Sequence, residues 1–321
     1  MTGYDEPDDV DLKIPARDLR AWVARARGYR TLIEGIVADL AVTHDDALFN
    51  EEILAFVRGG ARALATEILR RQATLATRSG SYDDTYARSI ALSELLLRNA
   101  ELRRLLHVSA IDATLCHLIA DRSHTDPVLS PALVALADDT DDRCAGLAMA
   151  AMSAQALFLR NHRRKTIALL DLPAEILHAT LLDTRSFPTE IGDEDIARAE
   201  LLCRTEYSEA STRLAIFDAL VDCIDDRFTG SLTMDSMGVP LFLSTLARRI
   251  DQSYASLVFA AAQRTAPNFG LCLKSAGLSD AEIFRHFDIL GHDDAAKQDW
   301  SAVDIGSAGK LLLAAFEAEM V

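Results

Sequence analysis

Apolar residues recur at steps of three and four positions along almost the whole sequence, and this spacing limits the fold more than any other feature. Near the start the pattern is Leu19, Trp22, Val23 and Ala26, and similar sets follow in later segments. Such steps place side chains on one face of a helix, whereas a half-buried strand alternates apolar and polar residues. The sequence holds no convincing pair of alternating strands. It therefore predicts an all-α protein.

Turn signals divide this pattern into short helices. Ser130-Pro131 is typical of a helix start, with a serine cap before a proline in the first turn. Ser109 is predicted to cap another helix, and Gly59-Gly60 to break or kink one. Further helices are predicted at about 194–206, 209–226, 239–263, 279–290 and 306–319, the fourth with a capping box. Short helices joined by Asp, Ser and Pro turns are typical of an irregular HEAT-like α-solenoid or a repeat-like helical bundle.

One segment stands out as a boundary between two helical regions. Residues 186–195, SFPTEIGDED, are polar and carry both proline and glycine. We therefore predict an N-terminal helical repeat region at 16–185, a linker at 186–195 and a C-terminal helical region at 196–321. Residues 1–15 hold five acids and little to bury, which predicts a disordered acidic N-terminus.

The charge balance limits the partners that the chain can take. Asp and Glu number 49 against 33 Lys and Arg, which gives a net charge of −16. Such a field repels duplex nucleic acid and anionic membranes, although a local basic patch could still bind one. No nucleic-acid partner is predicted. The longest uncharged stretch, 144–159, is shorter than the roughly 20 residues that span a bilayer. No membrane span is predicted.

The cysteines and the N-terminus indicate a location. Five cysteines are scattered without Cys-x-x-Cys spacing, which predicts buried free thiols in a reducing compartment; they are Cys116, Cys144, Cys203, Cys223 and Cys272. The acidic start MTGYDEPDDVDL resembles neither a signal peptide nor a transit peptide. The sequence therefore predicts a cytoplasmic protein.

An aspartate cluster, ADDTDDRC at 137–144, raises the possibility of catalysis. Asp138, Asp139 and Asp142 match the Asp-Asp-x-x-Asp pattern that holds Mg²⁺ against a diphosphate in isoprenoid-diphosphate enzymes. A second acidic site is needed on a facing helix, and Asp222 with Asp226 in VDCIDDRF is the candidate. Lys165 is available as a phosphate contact. A Mg²⁺-dependent enzyme of this type is the alternative hypothesis for function.

A structural role explains the same aspartates with fewer requirements. The second site lacks a further acid, since position 230 is a glycine, and no basic pair follows the first site. Asp139 or Asp141 can instead cap a helix that begins near Asp142, which stabilises it by about 1 kcal/mol. We therefore interpret the cluster as a turn between two helices, and we predict no metal, cofactor or catalytic residue.

Two other segments are candidates for partner binding. NHRRK at 161–165 is the one dense basic cluster, and His162, Arg163, Arg164 and Lys165 are its candidate contacts. These cations can complement the end of a helix, or they can dock an acidic partner or a phosphate. In MDSMGVPLFL at 234–243, the side chains of Met234, Met237 and Phe242 surround a Gly-Pro kink. They can form core, or line an adaptable groove for a peptide or lipid.

Several stretches resemble a known family. The central runs are HTDPVLSPALVALADDTDD (124–142), LAMAAMSAQALFLRNHRR (147–164) and LDLPAEILHATLL (170–182), and RAELLCRTEYSEASTRLAIFDALV (198–221) and MGVPLFLSTLA (237–247) follow. Together they resemble an alphaproteobacterial, sphingomonad-type helical-repeat family named domain of unknown function 2336. The resemblance implies an all-helical, repeat-like cytoplasmic protein and supplies no catalytic residues. With no catalytic fingerprint in the sequence, we predict a non-catalytic protein–protein interaction or adaptor module.

Overall fold

Helices make up the regular structure of the computed structural model, which describes residues 51–75, 82–187, 192–224, 233–263, 268–292 and 299–317. No strand occurs in these ranges, so the predicted all-α class is confirmed. The α-helices are α1 (Glu51–Leu75), α2 (Tyr82–Leu96), α3 (Ala100–Ser123), α4 (Pro131–Ala137), α5 (Asp142–Arg163), α6 (Ala174–Arg185), α7 (Asp193–Glu206), α8 (Arg213–Ile224), α9 (Met234–Met237), α10 (Val239–Ile250), α11 (Tyr254–Ala262), α12 (Asn268–Ser275), α13 (Asp280–Leu290) and α14 (Ile305–Glu317). Short 3₁₀ turns lie at Leu169–Asp171, Glu209–Ser211 and Trp300–Ala302. The predicted disordered segment 1–15 lies outside the described residues.

Helix α3 lies at the centre of the molecule. It packs against α1, α5 and α6 on the N-terminal side of the sequence, and against α9, α10, α11 and α13 on the C-terminal side. The side chain of Asn99 caps it by accepting a hydrogen bond from the amide of Leu102. The predicted cap Ser109 is wrong, because Ser109 lies within α3 and its hydroxyl donates to the carbonyl of Leu105. A serine inside a helix satisfies its hydroxyl in this way without ending it.

The helices before and after the predicted linker share one hydrophobic core. Helix α7 begins at Asp193, inside the segment 186–195, and it packs against α1. Helix α8 packs along α5, and the buried apolar side chains of both halves belong to a single cluster. Residues 188–191 of the segment lie outside the described residues.

Turn chemistry sets the helix ends in the C-terminal half. The predicted helix at 239–263 is two helices, because Asp251 adopts a left-handed φ of 52° and Ser253 then caps α11. The predicted helix at 279–290 is confirmed, complete with its capping box between Ser279 and Glu282. Among the described residues, no helix is both long and apolar enough to cross a bilayer.

The glycine pair in α1 marks a close contact and not a break. Helix α1 continues through Gly59 and Gly60, which corrects the prediction made from the sequence. A Cβ on Gly59 would lie 2.6 Å from the carbonyl oxygen of Lys165, and a Cβ on Gly60 would lie 2.8 Å from a methyl group of Leu106. Glycine at these positions therefore lets α1 approach α3 and the segment that follows α5.

Candidate functional site

The aspartate cluster forms the turn between α4 and α5. Asp138 ends α4, and Asp139 accepts a hydrogen bond of 2.9 Å from the amide of Asp141 through its Oδ1. Asp141 is the N-cap of α5, and its Oδ1 accepts from the amides of Arg143 and Cys144 at 3.0 and 3.3 Å. Two of the aspartates therefore hold the turn in shape, as the structural interpretation of the sequence predicts.

Four of the five carboxylates that the magnesium hypothesis requires lie among the described residues, and these four do not form one group of metal ligands. Asp138 and Asp142 are exposed, and Asp222 forms an ion pair of 2.8 Å with Arg248 of α10. Asp226 lies outside the described residues. Within the part of the chain that the structure describes, no group of three potential metal ligands includes Asp138, Asp139, Asp142 or Asp222.

A different set of side chains meets at the start of α5. Cys144 and Cys223 form a disulfide between the first turn of α5 and the last turn of α8, with their Cα atoms 6.0 Å apart. The sulfur atoms and a carboxylate oxygen of Asp141 all lie within 4.8 Å of one another. The prediction of five free thiols is therefore wrong for this pair, while Cys116, Cys203 and Cys272 are free and buried. One sequence signal was available, since each of the two acid-rich segments contains one of the paired cysteines.

The basic segment at the other end of α5 is partly a surface and partly an anchor. Arg163, Arg164 and Lys165 are exposed, and none forms an ion pair with a carboxylate of the described residues. His162 is buried and stacks on Phe56 of α1, with ring centroids 4.9 Å apart, so its prediction as a surface contact is wrong. Burial also lowers the pKa of His162 below its usual value. The imidazole therefore fixes the segment to the core while the three cations face outwards.

An exposed face of α5 leads up to this basic segment. Met149 and Leu157 are 54% and 37% exposed, and Arg160 and Arg164 continue the same face towards the end of the helix. Spacings of three, four and eight residues keep these positions on one side of a helix. We call this set of four residues, Met149, Leu157, Arg160 and Arg164, the α5 face. It is apolar in its middle and cationic at its end.

The second predicted binding segment forms part of the core. Met234, Met237 and Phe242 are 1%, 0% and 0% exposed, and all belong to the main hydrophobic cluster. Helix α9 packs against α3 and α4, which covers the methionines. The hypothesis of an open groove at these three side chains is therefore wrong, and core packing accounts for them.

The buried polar network at the centre of the molecule was not predicted from the sequence. Arg213, the first residue of α8, donates to Asp112 of α3 at 2.7 Å and to Gln155 of α5 at 2.7 Å. The hydroxyl of Tyr254 donates to the same Asp112 oxygen at 3.0 Å, and the guanidinium lies 3.9 Å from the ring centroid of Phe158. Burial raises the pKa of the Tyr254 hydroxyl, and the Asp112 charge adds to that effect. The network joins four helices.

A small pocket lies between α1 and α7. Its volume is about 240 Å³, and it is lined by Arg70, Arg71, Thr74, Ala199, Leu202 and Glu206. Arg71 is engaged by Glu206 at 2.6 Å and by Glu67 at 3.1 Å. The pocket therefore offers one guanidinium, that of Arg70, beside an ion pair that is already complete.

The comparisons with known proteins give no match. No protein-family model, no curated protein and no solved structure is similar to the chain at a significant level. The family resemblance drawn from segments such as 124–142 therefore stays a prediction.

Proposed function

We propose that the protein is a non-catalytic interaction or adaptor module, and that its α5 face binds an acidic amphipathic helix of a partner protein. One observation carries this proposal: apolar and cationic side chains lie exposed in sequence along one face of α5, without partners among the described residues. A partner helix with an apolar stripe and a carboxylate-rich end matches that order of side chains.

The apolar part of the face supplies the anchors. Protein interfaces gain most of their free energy from a few apolar or aromatic side chains surrounded by a polar rim. Met149 and Leu157 are two such side chains, and methionine adapts its shape to the surface it meets. The hydroxyl of Ser153, between them in sequence, donates to the carbonyl of Met149, so its burial leaves no unpaired donor.

The cationic part supplies orientation and selectivity. Arg160 and Arg164 of the α5 face, with Arg163 and Lys165 beside them in the sequence, concentrate positive charge on a chain whose net charge is −16. Charges are screened beyond about 8 Å at physiological salt, so a short acidic segment feels mainly these local cations. A long duplex nucleic acid would extend over the acidic remainder of the surface and be repelled there.

The cationic end is also held in a fixed shape, which lowers the entropy cost of binding. Lys165 has a left-handed φ of 54°, and its backbone packs directly on Gly59. His162, three residues before Lys165, stacks on Phe56. The side chains of Arg163 and Arg164 therefore start from a rigid segment.

The proposal includes a repeat-like architecture and a cytoplasmic location. Helices that follow each other in sequence pack together, α1 with α2 and α4 with α5, and such pairs are the units of HEAT-like solenoids. No described contact favours the Mg²⁺-dependent alternative, because no group of three potential metal ligands among the described residues includes Asp138 or Asp142.

A defined probe tests the proposal. A synthetic amphipathic helix with a leucine face and a glutamate-rich end is titrated with the full chain, and binding is followed by fluorescence anisotropy. We expect binding that weakens with added salt and is reduced at least tenfold by Arg160→Glu with Arg164→Glu. The matched control is Arg98→Glu, an exposed cation in the α2–α3 turn.

A second variant separates the apolar contribution. Leu157→Asp is expected to abolish binding, whereas Leu129→Asp, at a leucine that is 51% exposed outside the α5 face, is expected to leave it unchanged. Equal losses in both members of either pair would contradict the proposal. A dimer seen by light scattering that dissociates in Leu157→Asp would also contradict it, because the face would then bind a second copy of the chain.

A further inference from the structure

We infer that Asp141, Cys144 and Cys223 form a site for a zinc-type divalent cation, which opens when their disulfide is reduced. The inference is independent of the α5 face, since this cluster lies at the opposite end of the helix. It assigns Cys144 and Cys223 as thiolate ligands and Asp141 as a carboxylate ligand.

The positions of the ligand atoms suit such an ion. The two sulfurs and an oxygen of Asp141 lie within 4.8 Å of one another. Atoms that share a tetrahedral zinc lie roughly 3.5–3.8 Å apart, as follows from Zn–S bonds of about 2.3 Å and Zn–O bonds of about 2.0–2.2 Å. Once the S–S bond is broken, small side-chain rotations suffice to reach that spacing. Three protein ligands and one water complete four-coordination.

Two rigid elements hold the ligands. Cys144 is in the first turn of α5, and Cys223 is in the last turn of α8, and these helices pack along each other. Asp141 is fixed by its two bonds to the amides of α5. A site built on packed helices keeps its shape when the covalent link between them is removed.

The surrounding charge favours a bound cation in the reduced state. Asp138, Asp139 and Asp142 are close in sequence to the pair, and together with Asp141 they make this turn strongly negative. Two thiolates in that surrounding repel the carboxylates, and a divalent cation removes the repulsion. Soft thiolate ligands select zinc over magnesium, so the site differs in chemistry from a magnesium–diphosphate centre.

The redox step is balanced by a thiol reductant. Two thiols, RSH, reduce the Cys144–Cys223 bond to two protein thiols and become the disulfide RSSR. The cation then displaces the two thiol protons, which leave to solvent. Attack is possible at Cys223, which is half-buried, whereas Cys144 is buried and acts as the leaving sulfur.

Cobalt(II) and zinc(II) test the site in the full chain. The reduced protein, free of excess reductant and kept under nitrogen, is expected to bind one equivalent of Co²⁺ with a thiolate-to-cobalt charge-transfer absorption, which one equivalent of Zn²⁺ removes. The oxidised protein is expected to show no such absorption. A charge-transfer band that is equal in both states, or absent from the reduced protein, would overturn the inference.

Three variants and two controls identify the ligands. Cys144→Ser and Cys223→Ser are expected to lose the band, and Cys203→Ser, at a free buried thiol, to keep it. Asp141→Asn retains a residue that caps helices well, so it removes the charged ligand while α5 still forms. We expect it to weaken metal binding by at least about tenfold, whereas Asp138→Asn removes a nearby charge but no ligand and is expected to weaken binding far less. Equal behaviour of the two asparagine variants, at equal helix content by circular dichroism, would remove Asp141 from the site.

Discussion

Helix α8 carries an ion pair at each end, and the two pairs have nearly the same length but opposite surroundings. At its start Arg213 meets Asp112 at 2.7 Å, with side chains that are 12% and 2% exposed. At its end Asp222 meets Arg248 at 2.8 Å, with side chains that are 50% and 64% exposed. Asp222 was a candidate site residue from its sequence pattern, whereas Asp112 was not. The distance between the charged atoms does not reveal which pair matters to the fold; the solvent around them does.

The buried pair matters because little water reaches either charge, so each charge depends on the other for stabilisation. Burial alone would lower the pKa of Arg213, but its neighbours together, with Asp112 first among them, raise this pKa, so the guanidinium stays charged. Water hydrates the exposed Asp222 and Arg248 whether or not they touch, and salt screens their attraction. The comparison predicts large effects at the start of α8 and small ones at its end.

The largest expected effect comes from Asp112→Ala. It leaves the buried Arg213 charge without its counterion, which lowers the free energy of unfolding by about 3–5 kcal/mol. Urea unfolding followed by circular dichroism measures this change. A loss below 1 kcal/mol would show that water reaches the guanidinium and that the two ends of α8 are alike.

Removing both charges separates the cost of burial from the cost of breaking the pair. Asp112→Leu with Arg213→Met is expected to lose about 1–3 kcal/mol less than the sum of the single losses, because neither charge is left alone. Recovery stays incomplete, since Gln155 and Tyr254 also lose hydrogen-bond partners. A double-mutant cycle in urea gives the coupling, and strict additivity would contradict a buried pair.

Part of this network could be foreseen from the sequence. Asp112 shares a helix face with Val108, Leu115 and Ile119, since these positions follow at steps of three and four. A charge inside an apolar stripe indicates a buried partner. The identity of that partner, Arg213, could not be foreseen, because the two residues are 101 positions apart and only the folded chain brings them together.

The same limit explains the other successes and failures. Helix caps and turns depend on residues that are close in sequence, so the capping box at Ser279 and the turn after Ala137 were predicted correctly. The contact of Gly59 with Lys165 and the pairing of Cys144 with Cys223 depend on positions far apart in the chain. The prediction for Ser109 was wrong because the residues around it do not distinguish a serine inside a helix from a serine that caps one.

His286 is a titratable group that is buried in its neutral form, without an ion-pair partner in the described part of the chain. His286 is fully buried, its Nδ1 donates to the carbonyl of Glu282 at 2.7 Å, and its Nε2 has no hydrogen-bond partner among the described residues. Burial lowers the pKa of His286 below the ordinary 6.5, although Glu282 and Asp235 oppose that shift. The unfolded chain therefore binds the proton more readily than the folded one.

We expect stability to be greatest above pH 6.5, the ordinary value for histidine, and to fall as the pH drops through the lowered pKa of the folded state. His286→Gln keeps a neutral donor and cannot titrate, so its unfolding free energy is expected to depend less on pH in that window. Some dependence remains, because burial also lowers the pKa of His162. Identical pH profiles for the two proteins would show that His286 is solvated.

The N-cap of α5 is expected to have an effect on stability between those of the two ion pairs of α8. Asp141→Ala removes the acceptor for two helix amides and is expected to cost about 1 kcal/mol. Asp138→Ala is its control, because Asp138 follows the C-terminal end of α4, where a negative charge is not favoured. Both are measured by urea unfolding with the disulfide intact. A larger loss from Asp138→Ala than from Asp141→Ala would reverse the assignment of the cap.

The smallest expected effect is at the end of α8. Asp222→Ala breaks an ion pair whose partners are both mostly hydrated, and it is expected to cost about 0–1 kcal/mol at low salt and less at high salt. Arg248→Ala should match it, and Arg249→Ala, at a neighbouring exposed arginine, serves as the control. If Asp222→Ala cost as much as Asp112→Ala, solvent exposure would not explain the contrast along α8. The distances within the two ion pairs are nearly equal. A small, salt-sensitive loss of stability in Asp222→Ala and a large, salt-insensitive loss in Asp112→Ala would therefore show that solvent exposure of the charges causes the difference.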